Sequence, residues 1–84
     1  MDIETDALLA FIKEKLIKSR AAELTEDTPL VSSGLIDSFS LPQLLIQLEK
    51  ITNSRIPTGR VSPQDFETVR RMMEVARRLG VRKA

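Results

Sequence analysis

The chain contains no cysteine, no histidine, no tryptophan and no tyrosine. Without cysteine there can be no disulfide and no native thiolate nucleophile, and nothing signals an oxidising compartment. Without histidine a Ser-His-Asp triad cannot be assembled, and the commonest metal ligand is missing. The aromatic complement is Phe11, Phe39 and Phe66. No apolar run approaches the ~20 residues needed to cross a bilayer. The opening MDIETD is acidic, where a secretory leader is basic. These absences point to a cytoplasmic protein that is not an enzyme, holds no metal and does not insert into membranes.

What remains is enough for a fold. The 84 residues make one domain with a thin core. The 42% hydrophobic and 30% charged fractions suit a soluble globule. The net charge of +1 conceals a split: residues 1–49 carry four bases against nine acids, and residues 50–84 nine bases against three acids. Such polarity can steer partners, although solvated helix faces account for most charges of this kind.

Hydrophobic spacing predicts helices and no strands. Residues 5–18 form the first, with Ala7, Leu8, Phe11, Ile12 and Leu16 as its core stripe, Thr5 or Asp6 as its cap, and Lys15 and Lys18 near its end. Residues 19–37 have no sustained period and include Pro29 and Gly34. They read as a long loop, tacked to the core by Leu24, Leu30, Val31, Leu35 and Ile36, and ordered loops of this length are often functional. A second helix follows over 40–51, with Leu41, Leu44, Leu45, Leu48 and Ile51 inward. Ser40 and Gln43 have the form of its capping box, and Pro42 biases Leu41 away from helical angles. SPQD opens a short helix over 62–66 in the same way. The last helix spans 68–79, with Val69, Met72, Met73, Ala76 and Leu79 on one face and Gly80 as its stop. The expectation is all-α: a small bundle of three longer helices plus one short helix.

One serine stands where the long loop meets the second helix. It lies in GLIDSF, Gly34 to Phe39, with Asp37 before it and Phe39 after it. Read from the residues alone, Ser38 and Asp37 are helix caps, while Phe39 is either core or an exposed contact. Helix, long loop, serine-headed helix, short helix and last helix together resemble the acyl carrier protein family over nearly the whole chain. GLIDSF matches the family's Gly-x-x-Asp-Ser-hydrophobe signature, and DFETV, Asp65 to Val69, stands at its junction into the last helix. DSFSLPQLLIQLEK is most similar to stand-alone carriers of the D-alanyl or aminoacyl type.

The resemblance implies that Ser38 is the attachment site of 4′-phosphopantetheine, delivered from coenzyme A by a phosphopantetheinyl transferase, with Asp37 supporting that step. It implies an acyl or aminoacyl thioester on the arm, an adenylating ligase that loads it and a downstream acyltransferase or synthase that unloads it. A chain without cysteine would thus borrow its thiol. The carriers of fatty-acid synthesis are acidic along the helix after the serine, whereas this one presents Ser40, Gln43 and Gln47, which implies a dedicated pathway. Phe39, Gln43 and Gln47 are candidate partner contacts.

The last helix adds a basic ridge, Arg70 with Arg77 and Arg71 with Arg78 at seven-residue spacing, and Arg71 and Arg78 join the candidate contacts. Arg82 and Lys83 extend the cluster. That cluster also supports an alternative, a helical module binding nucleic acid or another protein. Scarce aromatics and a pI of about 8.1 weigh against nucleic acid. The expected state is a monomer.

Overall fold

The computed structural model describes residues 3–17 and 24–82. Lys18, Lys83 and the beginning of the long connection lie outside them.

The first helix, α1 (Ile3–Phe11), runs on into a turn and a half of wider π-type winding over Ile12–Ile17. Its inward face is Thr5, Leu8 and Ile12, with Leu9, Phe11 and Leu16 half-covered against the same core. Two expectations are corrected. Thr5 and Asp6 do not cap the helix, because it begins two residues before Thr5, which is buried inside it. Ala7 points to solvent; at 100° per residue, Thr5, Leu8 and Ile12 define a stripe that leaves it on the outer side.

A 3-10 turn over Ser38–Ser40 feeds directly into α2 (Leu41–Thr52). Leu44, Leu45 and Leu48 are its buried face. Pro42 falls in the first helical turn, where a missing N–H removes no intrahelical bond. Leu41 is nevertheless helical, at φ −63° and ψ −43°, so the bias expected from the following proline is overridden by the 3-10 turn behind it. The helix ends at Asn53, which takes the left-handed conformation at φ 52° and donates its N–H to the carbonyls of Glu49 and Lys50, a standard C-terminal stop.

The connection to the last helix is built of short pieces. Ser54–Arg55 (β1) is followed by a 3-10 turn over Thr58–Arg60 and another over Pro63–Phe66. The second is the expected short helix. Its Ser62–Asp65 capping box forms, with the Ser62 N–H donating to Asp65 Oδ2 at 2.9 Å. The last helix, α3 (Val69–Leu79), is capped by Thr68, whose hydroxyl accepts the Arg71 N–H at 3.1 Å. Val69, Met72, Met73 and Ala76 are buried as the spacing predicts, and Val75 joins them. A two-residue strand β2 (Val81–Arg82) pairs antiparallel with β1, Ser54 opposite Arg82 and Arg55 opposite Val81. Strands of two residues leave no alternation to read, and the fold remains all-α.

Gly80 makes that closure possible. A Cβ there would stand 2.3 Å from the Ala76 carbonyl oxygen and 2.9 Å from the Ser54 hydroxyl. The helix thus stops at Gly80 because the chain must pass close to its own last turn on the way to β1.

The three long helices pack on one another pairwise. Leu8, Ile12, Leu30, Leu44, Leu48, Ile56, Val69 and Met72 are completely or almost completely buried between them. Leu30 and Ile36, from the long loop, belong to this core, so the loop is tacked down as its apolar residues predict. The radius of gyration is 11.9 Å, the ~12 Å expected of a compact chain of this length. Every buried side-chain polar atom among the described residues has a hydrogen-bond partner.

Candidate functional site

The site is the junction between the long loop and α2. Gly34 opens it with a φ of +82°, a left-handed angle that residues with a Cβ resist. The chain turns there, buries Ile36 and emerges at Asp37.

Asp37 is the cap of the whole junction. Its Oδ1 accepts the Ser40 N–H at 3.1 Å and the Ser40 hydroxyl at 3.2 Å, while its carbonyl accepts the same N–H at 3.1 Å. Ser40 therefore makes no side-chain cap to α2, and the Ser40–Gln43 capping box read from the sequence is not formed. The 3-10 turn moves the capping position three residues back, and Asp37 occupies it.

This leaves Ser38 without structural duty. Its backbone carbonyl accepts the Leu41 N–H, but its side chain is exposed and its hydroxyl has no hydrogen-bond partner among the described residues. The N–H groups of Ser38 and Phe39 likewise meet no carbonyl there. An exposed hydroxyl thus stands beside free backbone donors at the start of a helical array, where anionic groups are favoured.

Phe39 is 90% exposed, which rules out a core role. Farther along the same side of α2 come Gln43, exposed, and Ile46, 54% exposed; Gln47 is half-buried beside them. The helical period already leaves Ile46 off the inward stripe of Leu41, Leu44, Leu45, Leu48 and Ile51, and the structure exposes it. Glu49 is occupied internally, its Oε2 accepting the Ile56 N–H at 2.7 Å.

The basic ridge of α3 is only partly free. Arg70 is clamped by the long loop: its Nε and Nη2 donate to the two Asp27 oxygens at 2.7 and 2.8 Å, with Glu26 at 3.6 Å. That fork raises the Arg70 pKa further and holds the Asp27 carboxyl below its ordinary range. Arg70, although exposed, is therefore committed to the loop and is not a free cation beside Arg77. Arg71, Arg77 and Arg78 line one open groove with Asp65, Glu74 and Val75, and remain without ion pairs among the described residues.

Glu67 carries a role that its sequence position does not announce. Its Oε1 accepts the Val31 and Ser32 N–H groups at 3.2 and 2.9 Å, and its Oε2 accepts the Ser32 hydroxyl. Those bonds, the Ser32 hydroxyl first, lower the pKa of the Glu67 carboxyl.

No helix among the described residues is long and apolar enough to cross a membrane. No family model, curated protein or solved structure matches the chain.

Proposed function

We propose that the protein is a stand-alone acyl or aminoacyl carrier, holding its cargo as a thioester on 4′-phosphopantetheine attached to Ser38. One observation carries the reading: Ser38 is exposed and its hydroxyl has no partner among the described residues, while Asp37, the residue before it, does the capping that would otherwise explain a serine there. GLIDSF and the all-α architecture support it.

In the attachment step the Ser38 oxygen attacks the phosphorus of coenzyme A that bears the pantetheine arm. The new P–O bond forms as the pyrophosphate P–O bond breaks, adenosine 3′,5′-bisphosphate leaves, and a base on the transferase takes the Ser38 proton. The phosphodiester would be an anion at the head of α2, where the N–H groups of Ser38 and Phe39, which meet no carbonyl among the described residues, and the helix dipole would favour it. The exposed Phe39, with Gln43 and Ile46 behind it, gives partner enzymes an apolar and uncharged approach to the arm. Those partners are a cytoplasmic phosphopantetheinyl transferase, an adenylating ligase and a downstream acyltransferase or synthase of a dedicated pathway.

Intact mass after coexpression with a broad-specificity phosphopantetheinyl transferase tests this. One phosphopantetheine is added to the wild type and none to Ser38→Ala. An unchanged wild-type mass, with the transferase active on a control carrier, overturns the reading.

A further inference from the structure

The loop that delivers Ser38 contains no helix or strand between Leu24 and Asp37. Its conformation near the serine is set from across the fold, by the residue preceding the Thr68 cap of α3. The Glu67 carbonyl accepts the Leu30 N–H at 2.8 Å. The Glu67 carboxylate accepts the Val31 and Ser32 N–H groups and the Ser32 hydroxyl.

Leu30 passes that constraint onward, because its own carbonyl accepts the Ile36 N–H at 3.1 Å. Within the segment so closed, the Gly34 N–H returns to the Val31 carbonyl at 3.1 Å and the Ser33 hydroxyl to the Leu30 carbonyl at 3.3 Å, the same hydroxyl also reaching the Pro29 carbonyl just before the segment at 2.6 Å. Residues 30–36 thus form a ring whose two ends are hydrogen-bonded to each other and buried in the core as Leu30 and Ile36. Asp37 and Ser38 follow at once.

We propose that Glu67 is a positioning residue for the chemistry at Ser38: it pins the 30–36 ring to the head of α3 and so holds the serine turn in the presentation a modifying enzyme meets. This rests on the carrier reading. The Arg70–Asp27 fork holds the same loop farther from the serine, at residues 26 and 27, and serves as the control. Removing the Glu67 carboxylate leaves the Val31 and Ser32 N–H groups to water and lets the ring sample other conformations. A transferase then meets the competent conformer in only a fraction of molecules, and the apparent affinity falls by that fraction.

The test compares Glu67→Ala, Glu67→Gln and Asp27→Asn in the full chain, by amide hydrogen exchange and by transferase kinetics with coenzyme A. In Glu67→Ala the amides of Val31, Ser32, Ile36 and Ser40 exchange about tenfold faster or more, those of Leu44 and Met72 are unchanged, and the KM for the carrier rises about tenfold with kcat within about twofold. Glu67→Gln stays near the wild type, because its amide oxygen still accepts both N–H groups. Asp27→Asn leaves the KM within about twofold, its contact being exposed and outside the 30–36 ring. Wild-type exchange at residues 31–40 in Glu67→Ala, a uniform increase over the whole chain, or a fall in kcat at unchanged KM each refutes the proposal. A wild-type protein that accepts no phosphopantetheine refutes the carrier reading instead, and exchange alone then decides whether Glu67 orders the Ser38 turn.

Discussion

Met72 lies at the meeting of the three helices and is completely buried. Its replacement by aspartate is the most demanding test of the packing. At ~0.05–0.15 kcal/mol per residue, a chain of this length has a total stability of roughly 4–13 kcal/mol. Truncating a buried methionine to alanine costs ~2–5 kcal/mol in transfer and cavity terms, or a loss of roughly 8–40 °C in Tm for a domain this small. Aspartate adds the problem of its charge. Kept neutral to avoid burying an ion, a carboxyl of ordinary pKa ~3.9 costs about 4 kcal/mol to protonate at pH 7, at 1.36 kcal/mol per unit. The combined penalty of about 6–9 kcal/mol is comparable to the total stability, so Met72→Asp is largely unfolded at pH 7 or melts far below the wild type. The introduced group has a raised folded-state pKa, so its penalty shrinks as pH falls toward the unfolded value and grows as pH rises. Far-UV circular dichroism and urea melts at pH 5 and pH 7, with Met72→Ala for comparison, measure both parts. The paired change Arg71→Gln with Arg78→Gln removes exposed charges worth ~1 kcal/mol or less and keeps the fold. A Met72→Asp protein that melts within a few degrees of the wild type at pH 7, or an arginine pair that unfolds it, refutes the placement of α3.

Ser38→Ala is silent in thermal melts, within about 2 °C, because its hydroxyl bonds nothing among the described residues, whereas Asp37→Ala loses the cap of the α2 junction and ~0.5–2 kcal/mol with it; equal melts for the two contradict the assignment of the cap to Asp37. Gly80→Ala forces a Cβ into the Ala76 carbonyl and lowers the urea midpoint by an amount corresponding to ~1–3 kcal/mol, while Gly59→Ala, which meets nothing within 4 Å, does not. Asp27 and Glu67 have folded pKa values below their ordinary 3.8 and 4.5, so their contribution is fully present above that range and is lost as pH falls through the folded values. Stability followed from pH 6 to pH 2.5 therefore falls less steeply in the Asp27→Asn, Glu67→Gln double variant than in the wild type, and parallel curves contradict the two carboxylate contacts.

The helices were readable because their signal is local. Leu44, Leu45 and Leu48, or Val69, Met72, Met73 and Ala76, repeat at the helical period, and that period alone selects the buried face. Gly34 and Pro63 act on their own backbone, so the turn and the short helix were also legible, whereas Thr68, read as the first residue of the last helix, is its cap. The acid-serine pair at the head of α2 was visible as a candidate site for the same reason, although not the division of labour within it. Whether Asp37 or Ser40 caps depends on a 3-10 turn that exists only when Ile36 is anchored in the core, and whether Phe39 is core or surface depends on the same turn.

The sequence by itself determined an all-α chain with a long, core-tacked loop ending at an acid-serine pair. The tertiary structure alone decided that Phe39 faces solvent, that Arg70 belongs to Asp27, and that Glu67 holds the loop behind Ser38. Those last contacts join residues 43, 36 and 35 positions apart. No periodicity spans such separations, because a hydrogen bond between distant residues is set by where packing returns the chain, and only the closed core brings the head of α3 against the loop.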